Sequence, residues 1–160
     1  MFTRRVLSLS LVALALAACA SVPTPVSVAD SISKNPNLST LSGLIGQAGL
    51  TATLQSTGPF TVFAPSNDAF KAVPAKTMDD LAKHPNKLKD VLTFHVLPGK
   101  LMAVEVKNSA PKTVNGAHVA VSKAGEFVTI EQAMVQTADI PATNGVIHII
   151  DSVLIPPAKK

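Results

Sequence analysis

Cys19 is the only cysteine among 160 residues, so whatever this chain folds into holds together by packing, without an internal disulfide. It closes a predominantly apolar run, Val6 to Leu16, that follows Arg4 and Arg5. That run is too short and wrongly flanked for a membrane-spanning helix, which needs roughly 20 apolar residues. Its layout is that of an export signal: a positive start, an apolar centre, then small Ala17 and Ala18 where a peptidase would cut. The globular part therefore lies after residue 18, and about 140 residues are enough to enclose one hydrophobic core.

Leu16-Ala17-Ala18-Cys19 resembles the lipobox of a bacterial lipoprotein signal. The resemblance implies removal of residues 1–18 and lipid attachment at Cys19, with diacylglycerol on its sulfur and an acyl group on its amine. Two or more acyl chains anchor a protein stably, where one holds it only marginally. A lipidated Cys19 leaves no thiol for catalysis. Ordinary secretory cleavage, with Cys19 incidental, is the alternative. Ala20 follows the cysteine, and the absence of Asp there resembles outer-membrane sorting in Gram-negative bacteria. The expected location is extracytoplasmic and lipid-anchored, at the outer membrane, facing the periplasm or the cell surface. Residues 19–26 then form the lipidated N-terminus and a tether kept extended by Pro23 and Pro25. The seven residues from Ala20 to Val26 reach about 25 Å at most, so the domain rides close to the lipid.

The formal net charge of +4 overstates how basic the working protein is, because Arg4 and Arg5 leave with the signal. The lysines are scattered, and the only run is Lys159-Lys160 in the basic tail, residues 158–160. The chain has no Trp or Tyr, and six Phe. Without a basic stripe or interleaved aromatics there is no support for nucleic-acid binding, and there is little material for a large aromatic recognition platform.

The first half of the globular part has helical periodicity. Val28, Ala29 and Ile32 share a face until Asn35-Pro36 breaks the run. Leu41, Leu44, Ile45 and Ala48 define a second helix, with Ser39 or Thr40 as N-cap and Gly49 as its stop. Phe60 to Ala64 is a strand ended by Pro65, and Ser66 or Asn67 caps a short helix through Ala72. Thr77 to Asp80 has capping-box spacing before Leu81, and Pro85 opens a helix that aligns Leu88, Val91, Leu92 and His95. After Pro98-Gly99 the pattern changes to strands. Leu101 to Val106 is one, and Asn115-Gly116 predicts a two-residue hairpin between 112–114 and 118–121. Phe127 to Ile130 and Ala133 to Thr137 follow. The last strand, Val146 to Ile155, is apolar on both faces and predicts burial between layers. The fold class is α+β in a single domain.

Three blocks carry a resemblance to a known family. Thr61-Val62-Phe63-Ala64-Pro65-Ser66-Asn67-Asp68-Ala69-Phe70 resembles the first signature block of fasciclin-like domains. Leu92-Thr93-Phe94-His95-Val96-Leu97-Pro98-Gly99 is similar to the central block, and Asn144 to Asp151 with Val153-Leu154 to the terminal one. The resemblance implies a wedge of about seven strands with several short helices over residues 27–157, and a role in adhesion or partner-protein binding. It also implies two candidate partner-binding segments. One is Phe94-His95, where the family has a Tyr-His pair and this chain lacks the phenolic donor. The other is Asp139-Ile140. Each has a simpler structural reading: His95 and His148 as hydrogen-bonded core histidines, and Asp139 as a turn residue bonding nearby backbone.

Chemistry-bearing patterns are sparse. The four histidines show no metal-ligand spacing and no cysteine joins them, no nucleophile elbow is present, and Asp79-Asp80 reads as a solvated first helical turn. No cofactor, metal or enzymatic activity is expected. The expected function is a membrane-anchored extracytoplasmic binding module that meets another envelope or extracellular protein, or a glycan. A periplasmic lipoprotein that binds a small apolar ligand or glycan is the alternative.

Overall fold

A computed structural model describes residues 26–157. The expected export signal, Cys19, nearly all of the expected tether and the basic tail lie outside the described residues.

The helical half forms where the periodicity places it. Helix α1, Val28–Lys34, is capped by the Ser27 hydroxyl, which accepts from the Asp30 N–H, and it buries Val28, Ala29 and Ile32. A 3₁₀ turn, Pro36–Leu38, leads into α2, Ser39–Gln47, and Gly49 at φ +66° ends the run. Neither Ser39 nor Thr40 is the α2 cap. The Asn67 side chain does that work from a distance: its Oδ1 accepts from the Thr40 N–H at 3.0 Å, and its amide donates to Pro36 O at 2.8 Å. A side chain from another element thus satisfies an orphan donor at the helix start. Helix α3, Thr51–Gln55, follows without a periodic signature of its own.

Strand β1, Phe60–Pro65, runs into α4, Asn67–Ala72, capped by Ser66 as expected. Helix α5, Ala75–Lys83, starts after Pro74 rather than at Thr77, because Pro74 O already accepts from the Thr77 N–H. Asp80 therefore lies in the second half of that helix, not in its first turn, and pairs with Lys87 (2.7 Å) and His84 (3.0 Å). Helix α6, Pro85–Phe94, opens on Pro85 as its sequence predicts.

The remaining strands are β2, Val96–Pro98; β3, Val121–Ala124; β4, Phe127–Ile130; β5, Ala133–Ala142; and β6, Gly145–Ile150. They make one six-stranded sheet in the order β2-β1-β6-β5-β4-β3, parallel only between β1 and β6. Among the described residues six strands form rather than about seven. Leu101 to Val106 is not a strand, since its amides are taken by side chains: Leu101 N–H by Thr61 Oγ1 and Ala103 N–H by Asp139 Oδ1, each at 2.8 Å. The turn at Asn115-Gly116 exists, with Gly116 at φ +96°, but only the single bridge Lys112–His118 forms beside it. The flanks leave the hairpin path because Val114 N–H goes to Val96 O and the Asn115 amide to Asp90 O.

Strand β6 is buried along its whole length, as its two-faced apolar pattern predicts. Ile147 and Ile149 join the helix-side core with Ile32, Leu38 and Val62, while Ile150 and Leu154 join a second core with Phe63, Phe94 and Ile130. It ends earlier than expected, at Ile150, where Asp151 turns to exchange bonds with the Met134 backbone. Strand β5 is longer than expected and carries register shifts between Val135 and Thr137 and between Thr137 and Ile140. Both outer strands are partly covered: Ser109 and Asn108 bond β3, and Val114 bonds β2. Such covering blocks edge-to-edge pairing with another chain.

Candidate functional site

The two segments implied by the family resemblance end up in different surroundings. Phe94 and His95 are 1% and 2% exposed. His95 follows the last residue of α6, where its Nδ1–H donates to Val91 O at 2.8 Å and its Nε2 accepts from the Leu154 N–H at 2.9 Å. Both ring nitrogens are therefore satisfied by backbone, which fixes the neutral tautomer. Burial pushes the His95 pKa down to about 4, against the opposing Val91 bond. Neither side chain reaches the surface in this fold.

Asp139 and Ile140 lie at the bulge of β5, not in a turn, and both are half-buried. Bulges re-aim side chains and recur beside functional sites. Asp139 has φ +56°, a left-handed conformation uncommon outside glycine, which Asp tolerates better than most residues. Its carboxylate does bond backbone, but that of Ala103, 36 residues away. Its N–H donates to His148 Nδ1 at 3.2 Å. Ile140 packs one face against the helix-side core. Exposed Ala138 and Pro141 flank the pair, and Val104 beside Ala103 is 77% exposed.

His148 stands behind this bulge as the buried, bonded histidine its sequence position predicts. Its Nε2–H donates to Leu101 O at 2.8 Å, and the ring stacks on Phe63 with centroids 5.6 Å apart. Burial lowers its pKa, while the Leu101 bond and the Asp139 carboxylate, 4.0 Å from Nδ1, oppose the shift. Bulge, imidazole and the 101–103 loop form one connected polar unit.

Asn144 is a hub. Its Oδ1 accepts from the Val28 N–H, and its amide donates to Leu54 O and Ser56 O. One side chain thereby ties α1 and α3 to the start of β6. No local pattern announces such long-range bonds. The sequence also gave no sign of a groove of about 340 Å³ between α5, α6 and the C-terminal segment, lined by Thr77, Leu81, Val91, Ile155 and Pro156. Among the described residues, no group of three or more His, Cys, Asp or Glu side chains is placed to hold a metal. No described helix is long and apolar enough to cross a membrane.

The family model of the fasciclin domain matches residues 36–156. The chain belongs to the fasciclin family. Over 134 residues this fasciclin domain is 39% identical to Protein sll1483 of Synechocystis, covering 82% of this chain and 74% of that protein. It is 38% identical over 139 residues to Immunogenic protein MPB70 of Mycobacterium bovis, covering 84% and 70%. It is 35% identical over 136 residues to the Cell surface glycolipoprotein MPB83 of the same species, covering 82% and 61%. In three dimensions it resembles the fasciclin domain pair of the insect cell adhesion molecule Fasciclin I. The TM-score is 0.65 at 19% identity, over 82% of this chain and 51% of the other. The fasciclin domain here thus spans about half of that solved pair.

Proposed function

We propose that this protein is a lipid-anchored, extracytoplasmic fasciclin module that binds another protein at the cell envelope. The observation that carries the reading is a fasciclin domain matched over residues 36–156, lying behind an export signal that ends in Leu16-Ala17-Ala18-Cys19. Fasciclin domains are protein-interaction modules. The solved relative comes from a cell adhesion molecule, and one sequence relative is named a cell surface glycolipoprotein. Cys19 carries the lipid, and residues 19–26 tether the domain to the outer membrane.

The contact surface is the β5 bulge, with Asp139 and Ile140 at its centre. Phe94 and His95 are buried and present no side chain to it. The Thr143 N–H donates to Val26 O, so the tether leaves the domain at the end of β5, three residues beyond Ile140. With a tether of about 25 Å at most, this surface meets partners that are themselves at the membrane.

Two variants test the surface. Asp139→Ala with Ile140→Ala removes the pair, and Ala138→Arg obstructs the exposed flank while leaving the Asp139 bonds in place. Each is compared with wild type for partner recovery from envelope extracts, well below its melting temperature. Recovery is expected to fall about tenfold or more in both, in line with losing a central contact. Recovery equal to wild type in both would remove this surface from the reading.

The groove between α5 and α6 favours a second reading. Its size and largely apolar lining suit a small apolar ligand or glycan fragment, which Ile155→Arg, at a lining position that is 64% exposed, would obstruct without touching the bulge.

A further inference from the structure

The conformation of the β5 bulge is held by an imidazole. Neutral His148 gives its Nε2 proton to Leu101 O and uses the Nδ1 lone pair to accept the Asp139 N–H. The Asp139 carboxylate stands between two partners, the Ala103 N–H at 2.8 Å and His148 Nδ1 at 4.0 Å. While Nδ1 is a lone pair it repels that carboxylate, and the Ala103 amide holds it. A proton on Nδ1 inverts both relations: the ring can no longer accept the Asp139 N–H, and it offers the carboxylate a charged donor.

We propose that His148 is a proton-operated latch, in which protonation of Nδ1 draws the Asp139 carboxylate off the Ala103 N–H and frees the 101–103 loop from the bulge. The surface that Asp139 and Ile140 present then changes with acidity. This regulatory consequence rests on the contact surface proposed above, whereas the latch itself does not. The charged groups on the elements packed around the ring are few. Asp139 faces it from β5, and β1 supplies only the uncharged Phe63. The loop carries Lys100 and Glu105, and a Glu105 carboxylate oxygen accepts the Met102 N–H. Asp151, beyond the end of β6, is bonded to the Met134 N–H. His95, whose carbonyl accepts from the Phe63 N–H, turns its own ring to Val91 and Leu154. Among the described residues, only the Asp139 carboxylate comes within 4.0 Å of the ring as an ion-pair partner. Burial holds the ring neutral below the ordinary 6.5, so the latch opens on the acid side of that value.

The test is amide hydrogen exchange on the purified full-length protein in detergent at about pH 7 and pH 5, corrected for intrinsic rates. Exchange at Ala103 is expected to rise about tenfold at the lower pH, while Val62 and Ile147, in the core strands, lose only what the fall in global stability takes from them. His148→Phe preserves a ring beside Phe63 and is expected to abolish the step. Asp139→Asn keeps an acceptor for Ala103 but removes the charge, and is expected to shrink it. Three results would overturn the latch: unchanged protection at Ala103, an equal step in both variants, or Ala103 exchanging at the same rate as Val62 at both pH values. No partner is needed for this measurement, so a latch that opens beside a surface that recovers nothing separates the two proposals.

Discussion

Gly145→Ala is expected to remove more than about 3 kcal/mol of stability, enough to leave much of the protein unfolded. A Cβ at this position would lie 2.0 Å from Phe60 O, 2.9 Å from its carbonyl carbon and 3.0 Å from its nitrogen. These are backbone atoms of the neighbouring parallel strand, where Phe60 pairs with Gly145, so no flexible side chain can yield. The sheet would have to open where its parallel strands β1 and β6 begin, beside the Asn144 hub. Gly43→Ala is the control. Gly43 lies exposed within α2, a Cβ there meets nothing within 4 Å, and the change is expected to stabilise by about 0.5–1 kcal/mol. Denaturant midpoints that move in opposite directions would bear this out, and an unchanged midpoint for Gly145→Ala would contradict it.

The second large effect is a loss of stability in acid, centred on His95. Its folded pKa of about 4 lies below the ordinary 6.5, so between these values the unfolded chain binds a proton that the folded chain refuses. Stability from this group is therefore fully present above about pH 6.5, declines as pH falls, and levels off below about pH 4. A displacement of that size corresponds to roughly 3 kcal/mol at full extent. His148, also lowered, adds in the same direction. Unfolding free energies measured at about pH 7.5, 6, 5 and 4 should trace this decline. His95→Leu should be less stable at neutral pH, because Val91 O and Leu154 N lose their partner, yet should have a shallower decline. A flat profile in wild type, or an equally steep one in the variant, would contradict the assignment.

Much of this domain was legible in its sequence, and the exceptions share a cause. Helices α1, α2 and α6, the strand at Phe60 and the two-faced burial of β6 follow from periodicity, caps and turn residues, which are local. The errors arose where a distant group overrode local chemistry. Ser39 and Thr40 look like caps, but Asn67 reaches in from α4. Leu101 to Val106 is a short, mostly apolar run like a strand, but Thr61 and Asp139 take amides from it. Asp139 looks like a turn residue, but it bonds Ala103 from inside a bulged strand. The histidines were legible as core groups because each sits among apolar residues at the local period. Their hydrogen-bond partners were not, since Leu154, Leu101 and Asp139 meet them only through the tertiary fold.

The most direct test of a tethered module that meets its partner through the β5 bulge is site-specific photo-crosslinking in living cells. A photoreactive residue is placed at position 138, with exposed Ser33 on α1 as the control position, and with Cys19 either intact or changed by Cys19→Ser. The expected result is a light-dependent adduct of one discrete mass from position 138, found in the membrane fraction, absent from position 33 and strongly reduced by Cys19→Ser. No adduct from position 138, or one that forms undiminished without Cys19, would contradict it.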